Sequence, residues 1–109
     1  MEELGTIRVS PQVIAAIVAL AAAGVPGVAW LNSCTRPDRP LQVPEELGRA
    51  VRVNVRDGAV RADVYLTVKH RTNMMQVGSA VQAEVSEAIR RMLGLDVEAV
   101  NVYIVDVAR

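Results

Sequence analysis

The sequence predicts an α+β fold in which two helices pack on one face of a small mixed sheet. Valine-rich segments in which apolar and polar residues alternate are typical of half-buried strands. Two other segments repeat apolar residues at helical spacing, and residues that favour turns or helix ends separate all of these segments. The predicted order is β-α-β-β-β-α-β. A chain of 109 residues can enclose one hydrophobic core, so we expect a single domain over residues 1–109.

The chain begins with a predicted short strand at residues 6–9 and a helix at residues 11–23. Ser10 is suited to the N-cap of this helix, and Pro11 to its first position. Gly24 is expected to end the helix in the left-handed conformation. The segment GVAWLN, which follows directly, predicts the second strand.

Residues 13–31 carry no charge and approach the length of a membrane span. Gly24, Pro26 and Gly27 interrupt this run after roughly thirteen residues, or about 20 Å of helix, which is too short to cross a bilayer. The preceding residues, MEELGTIR, are more acidic than basic, unlike the start of a secretory signal. We therefore expect a core helix and no direct membrane span. The single cysteine, Cys34, is typical of a reducing compartment and indicates a cytoplasmic protein.

The first helix is apolar on every side, which is unusual for a helix at a protein surface. Its larger residues predict the stripe that faces the core, namely Val13, Ile14, Ile17, Val18 and Leu20 with Ala21. Another subunit often buries the second side of such a helix, so one interpretation is a homo-oligomer. A partly exposed alanine face is the alternative. The candidate self-association residues on that face are Ala15, Ala16, Ala19, Ala22 and Ala23.

Residues 33–49 contain three prolines and many charges, and they predict a loop. After this Pro-rich loop, AVRVNVR predicts a strand, and Asp57 with Gly58 predicts a two-residue hairpin turn. The return strand continues the alternation. Its covered face is predicted to hold Val60, Ala62, Val64, Leu66 and Val68.

The second helix is predicted to begin after Thr72 or Asn73 and to end at Gly94. Its apolar stripe is predicted to contain Met74, Gly78, Val81, Val85, Ala88, Ile89 and Met92. Residues 98–107 then predict a last strand in the interior of the sheet.

The polar face of the predicted sheet is the best candidate surface for a partner. Cations beside rings that can stack are typical of proteins that bind single-stranded RNA. Twelve basic residues against twelve acidic ones and the lack of an RNA-binding signature instead favour a solvated face, and contact with a protein is the third interpretation. The candidate residues are Arg52, Asn54, Arg56, Arg61, Tyr65, Lys69 and Tyr103, with Thr67 among them.

Three segments resemble the alkaline shock protein family, the envelope-stress response proteins of Gram-positive bacteria. They are GTIRVSPQVIAAIVALAAAGVPGVAWL at the start, the valine hairpin, and VGSAVQAEVSEAIRRMLGLDVEAVNVYIVDV at the end. The chain departs from the family pattern at Lys69, His70 and Arg71, where many relatives have a Tyr-Gly-like pair. None of the shared segments is a catalytic motif.

The resemblance implies a small cytoplasmic protein without enzymatic activity that supports cell-envelope homeostasis. It also implies that a membrane-anchored protein partner can hold such a protein at the inner face of the cell membrane. Other members of the family are linked to lipid synthesis.

An enzyme is the more distant alternative, because few residues suit catalysis. Cys34 and His70 are the only thiol and imidazole, and together they could form a nucleophile and its base. No pair of cysteine or histidine has the spacing of metal ligands, and Asp96, Glu98 and Asp106 are scattered around one strand. No glycine cluster opens either helix to bind phosphate. The sequence therefore predicts no catalytic residue, no cofactor and no metal site.

Overall fold

The computed structural model describes residues 4–109. The fold class is α+β, as predicted: helices cover one face of a mixed four-stranded sheet. A 3₁₀ turn at Gly48–Ala50 precedes the second strand, and a π-helical turn at Ile89–Leu93 extends the third helix. The elements are α1 (Pro11–Ala23), β1 (Val28–Leu31), α2 (Pro44–Leu47), β2 (Val51–Arg56), β3 (Ala59–Lys69), α3 (Met74–Ala88) and β4 (Asp96–Ala108).

Strand β3 is the centre of the sheet. It pairs antiparallel with β1 and β2 and parallel with β4. One face of β3 alternates into the core, and all five of its predicted core residues are fully buried there. Helices α1 and α3 both pack on this face and on each other. The strand order places β4 at an edge, so the prediction of an interior position for that strand is wrong.

Local signals at the element ends act as predicted. Ser10 Oγ accepts a hydrogen bond from the Val13 N–H at 3.2 Å, and Asn73 Oδ1 accepts one from the Gln76 N–H at 3.1 Å. The hairpin between β2 and β3 turns at Asp57 and Gly58, which both have positive φ (52° and 75°). Gly94 ends the π-helical turn in the left-handed conformation.

The predicted strand at residues 6–9 is not formed. Residues 4–10 have no regular secondary structure, and Leu4 and Ile7 are 93% and 95% exposed. A strand is stable only when a neighbouring strand satisfies its backbone groups, and within residues 4–109 no strand lies beside this segment. The N-terminal arm, residues 4–10, therefore leaves its apolar side chains in solvent.

The first helix ends differently from the prediction. Gly24 has right-handed backbone angles (φ −80°), and the chain turns instead at Gly27, where φ is +97°. A Cβ atom at Gly27 would lie 2.5 Å from Val77 Cγ2 of α3. The Gly27 carbonyl also accepts a hydrogen bond from the Lys69 N–H at 2.8 Å. Gly27 thus supplies both the turn and the close approach of β1 to α3.

The predicted core stripe of α1 is confirmed at Ile14 and Val18 and wrong at Val13 and Leu20. Val13 and Leu20 are exposed, whereas the buried residues are Ile14, Ala15, Val18, Ala19 and Ala22. Small side chains here let α1 lie close to the sheet and α3, while larger ones on the outer side remain at the surface. Within residues 4–109, no helix combines the length and the apolarity needed to cross a membrane.

The Pro-rich loop contains more structure than predicted. Residues 44–47 form α2, with Pro44 at the first position, and the 3₁₀ turn follows at once. Arg39 Nη2 donates to Glu46 Oε1 at 2.9 Å, which links the loop to α2. The N–H of Gln42 donates to the same carboxylate, and this hydrogen bond is the main cause that lowers the pKa of Glu46.

Candidate interaction surfaces

The outer side of α1 exposes apolar residues. We define the α1 outer face by Val13, Ala16, Leu20 and Ala23, which follow one another at helical spacing. Leu20 is 63% exposed and lines a shallow groove with Met92, which is 60% exposed and comes from the π-helical turn. Both were predicted to face the core. This apolar patch without a cover in the described residues is typical of an interaction site.

The alanine candidates are divided between two sides of α1. Ala15, Ala19 and Ala22 are buried in the core, so the structure contradicts their assignment to an exposed face. Ala16 and Ala23 are exposed and belong to the α1 outer face. Self-association through this helix remains a prediction, but Leu20 is the residue with most apolar surface to contribute.

Two stacked tyrosines form the centre of the polar sheet face. Tyr65 and Tyr103 are paired across β3 and β4, with ring centroids 4.8 Å apart and planes inclined by 16°. In the next row Asn101 Nδ2 donates to Asp63 Oδ1 at 2.8 Å. Tyr103 is exposed and Tyr65 half-buried, so one side of this aromatic pair remains open.

The arginines of the polar sheet face lie on β2 and the adjoining half of β3, away from Lys69. Arg56 and Arg61 border a small pocket with Asn54 and the acidic Glu98. Arg52 lies opposite Asp63 in the register of β2 and β3. The strand pairing thus brings together most of the predicted residues, but acidic groups lie among the basic ones. Lys69 is exposed at the far end of β3.

Thr67 is the one member of the predicted polar face that is fully buried. Its Oγ1 donates to Asn32 Oδ1 at 2.9 Å, and Asn32 is itself buried at the end of β1. This hydrogen bond gives each of the two buried side chains a partner at the start of the loop after β1. Thr67 is therefore a structural residue and is not available to a partner.

The structure does not assemble a catalytic or metal site from the predicted alternatives. Cys34 is half-buried in the loop after β1, where its N–H donates to the Arg49 carbonyl at 2.9 Å. His70 is exposed in the turn that follows β3. Among the described residues, no three His, Cys, Asp or Glu side chains converge as a metal site requires.

Sequence reasoning missed a groove between α3 and β4. Met74 was placed in the core, but it is exposed, and its neighbour Met75 is 80% exposed. We define the methionine groove by these two residues with Gly78, Val102 and Ile104; it encloses about 150 Å³, and Ser79 and Gln82 also line it. The adjacent methionines at the start of a helix were the only sequence signal of this surface.

The whole chain, residues 1–109, matches the alkaline shock protein (ASP23) family, which is described by a cell envelope-related function. The chain belongs to this family. The resemblance stated from the three segments is thereby confirmed. Neither the family description nor the names of the relatives given next record an enzymatic activity.

Similar proteins come from Bacillus and Streptococcus. YqhY of Bacillus subtilis is 28% identical over 95% of this chain and 78% of its own length. YloU of the same species is 29% identical over 92% of this chain and 86% of YloU. Spy1535 of Streptococcus pyogenes is 29% identical over 94% of this chain and 79% of Spy1535.

Solved structures of MamM CTD share the fold. A variant in a zinc form has a TM-score of 0.57 and 21% identity, over 85% of this chain and 81% of that chain. A second variant has the same TM-score at 22% identity, over 85% and 90% of the two chains. At this identity the likeness concerns the fold alone.

Proposed function

We propose that this protein is a non-enzymatic interaction protein that self-associates and supports the cell envelope under stress. It acts in the cytoplasm and reaches the inner face of the cell membrane through a membrane-anchored partner. Membership of a family with a cell envelope-related function supports the cellular role. The observation that carries the interaction role is the exposed apolar surface of the α1 outer face and Met92.

Self-association through the α1 outer face explains why large apolar side chains lie on its outer side. Leu20 and Met92 border one groove, and removing such side chains from water is the main favourable term in protein association. Glu84 and Arg91 also line this groove and provide charges at its border. An apolar centre with a charged border is the usual arrangement of a protein interface.

Replacing Leu20 by Glu tests the contact. The variant Leu20→Glu is expected to lower the assembly mass measured by light scattering, because a charge would be buried without a partner. Gln12→Glu adds the same charge to an exposed position of α1 and is the control. An unchanged mass for Leu20→Glu would refute this interface.

The cellular role is tested by a pull-down of the tagged protein from crosslinked cells. Each sample is divided into a half treated with nuclease and an untreated half before the proteins are identified by mass spectrometry. The proposal expects an integral membrane protein or lipid-synthesis enzymes in both halves. Recovery of ribosomal and RNA-associated proteins alone, lost on nuclease treatment, would refute it.

A nucleic-acid-binding module is the second candidate, and the open Tyr65–Tyr103 stack favours it. Asp63 and Glu98 on the same face oppose it, since they repel phosphate. The double variant Arg52→Glu, Arg56→Glu would abolish RNA retention under this candidate. Unaltered retention would dismiss it.

A further inference from the structure

Strand β4 has one free edge. It extends over thirteen residues, and within residues 4–109 it pairs only with β3, in a register that is continuous from Ala99 to Ile104. Gln82 Nε2 of α3 donates to the Val100 carbonyl of β4 at 3.0 Å. Residues 102–105 read VYIV and are all at least partly exposed. An edge strand presents unpaired N–H and C=O groups to any extended chain, and proline or lysine usually blocks such an edge. Neither residue occurs in β4.

The methionine groove lies directly beside this edge. Its floor contains Val102 and Ile104 of β4, and its wall contains Met74 and Met75 of α3. Its volume of about 150 Å³ is close to that of an apolar cavity that holds a benzene ring. Methionine side chains adapt their shape to an incoming group. Edge and groove together could accept both the backbone and one aliphatic side chain of an added strand.

The N-terminal arm has the residue pattern of a strand but does not pair with one in the described part of the chain. Its residues TIRV have the alternation and β propensity of a strand, yet Ile7 is 95% exposed and no strand of the described part of the chain lies beside the arm. Residues 4–9, which precede the Ser10 N-cap, would span roughly 20 Å as a strand, the length of about six residues of β4. Within residues 4–109, the chain thus exposes both a segment that could form a strand and a strand edge with which such a segment could pair.

Charge favours β4 over β2, which also has a free edge. The exposed charges of β2 are Arg52 and Arg56, whereas the charges within β4 are Asp96, Glu98 and Asp106. Arg8 is the only charge within residues 4–10, and its side chain would be repelled along β2 and attracted along β4. Glu2 and Glu3, which precede this segment in the sequence, lie outside the described residues.

We propose that the N-terminal arm of one copy adds to the β4 edge of a second copy and places Ile7 in that copy's methionine groove. Main-chain hydrogen bonds to β4 hold the arm, and the groove selects the aliphatic side chain. This inference rests on the proposed self-association and names a second contact for it.

Crosslinking between two tagged copies of different size tests the arrangement. Both carry Cys34→Ser; one also carries Ile7→Cys and the other Met75→Cys, and a short bismaleimide joins thiols that lie close together. We expect a covalent heterodimer from this pair. Asn54→Cys in place of Met75→Cys puts the thiol on β2 and is the matched control, with no heterodimer expected.

Backbone variants of the arm complete the test. Thr6→Pro removes an N–H donor and should reduce the crosslink at least tenfold, whereas Thr6→Ala keeps the donor and should retain it. The arm forms no part of the core, so neither variant should unfold the chain. Crosslinking that Thr6→Pro leaves unchanged would overturn the proposal. A heterodimer formed between the Ile7→Cys and Asn54→Cys copies would also overturn it. The same holds if Met75→Cys copies crosslink only to other Met75→Cys copies.

The two proposals fail separately. If no arm crosslink forms but Leu20→Glu still lowers the mass, only the arm contact is wrong. If Leu20→Glu leaves the mass unchanged while the arm crosslink forms, the α1 outer face is wrong and the arm contact stands.

Discussion

Substituting neighbouring alanines of α1 by glutamate distinguishes the two sides of the helix. Ala19 is fully buried in the core, and Ala16 is exposed on the α1 outer face. The side chains are three residues apart in one helix and have the same helix propensity. We expect Ala19→Glu to destabilise the fold strongly and Ala16→Glu to leave its stability nearly unchanged.

The cost of Ala19→Glu has two parts. A longer side chain in a filled core costs about 1–3 kcal/mol. A glutamate without a buried partner must also stay protonated, since an unpaired charge in the core costs more, and at pH 7 this protonation costs about 4 kcal/mol. The sum of roughly 5–7 kcal/mol approaches the whole stability of a small domain, about 5–15 kcal/mol. Ala16→Glu should change stability by no more than about 0.5 kcal/mol.

Urea unfolding followed by circular dichroism measures both effects. The sign of the pH dependence is a further check: burial raises the pKa of the introduced carboxyl, so the folded state holds the proton more tightly than the unfolded state. The stability of Ala19→Glu relative to the original chain should therefore improve as pH falls from 7 to 5, by roughly 2.5 kcal/mol. Equal unfolding midpoints for Ala19→Glu and Ala16→Glu would refute the assignment of the two sides of α1.

Three other features of the fold are tested by single substitutions, through urea unfolding or titration. Gly27→Ala should lose roughly 1–3 kcal/mol because of its positive φ and the overlap of its Cβ with α3, while Gly24→Ala should not destabilise; equal losses would contradict this. Thr67→Val should cost about 1–3 kcal/mol by leaving Asn32 Oδ1 buried without a donor, and Thr67→Ser should cost less. The pKa of Glu46 is lowered chiefly by a backbone N–H, so its carboxylate stabilises the fold at neutral pH and loses this effect as pH falls through the lowered pKa. Glu46→Gln should remove that acidic step, which an NMR titration of Glu46 locates.

Features controlled by one or two residues could be predicted from the sequence. Ser10 and Asn73 cap their helices through contacts three residues away, and Asp57 with Gly58 determines the hairpin. The covered face of β3 was also predictable, because polar and apolar residues alternate along it. In each case the physical cause lies within a few residues along the chain.

Features controlled by distant contacts were not predictable. Helix α1 has no charged residue, so nothing in its pattern marks which side faces solvent. Side-chain size indicated the core correctly at Ile14 and Val18 but not at Val13 and Leu20. Leu20 is exposed because Ala19 and Ala22 permit the close approach of α1 to the sheet and α3. Strand β4 was placed in the interior because it is rich in valine, but its position depends on strand order, which alternation does not encode.

The two proposed contacts differ in symmetry, so they limit the number of copies in an assembly differently. The α1 outer face can meet the same face of a second copy, an isologous contact that closes with two copies. The arm joins unlike surfaces, so each added copy can bring a free arm and a free edge, and growth need not stop. The contacts share no residue, so one chain can use both. Leu20→Glu should then leave assemblies joined by arms alone, and Thr6→Pro should leave pairs.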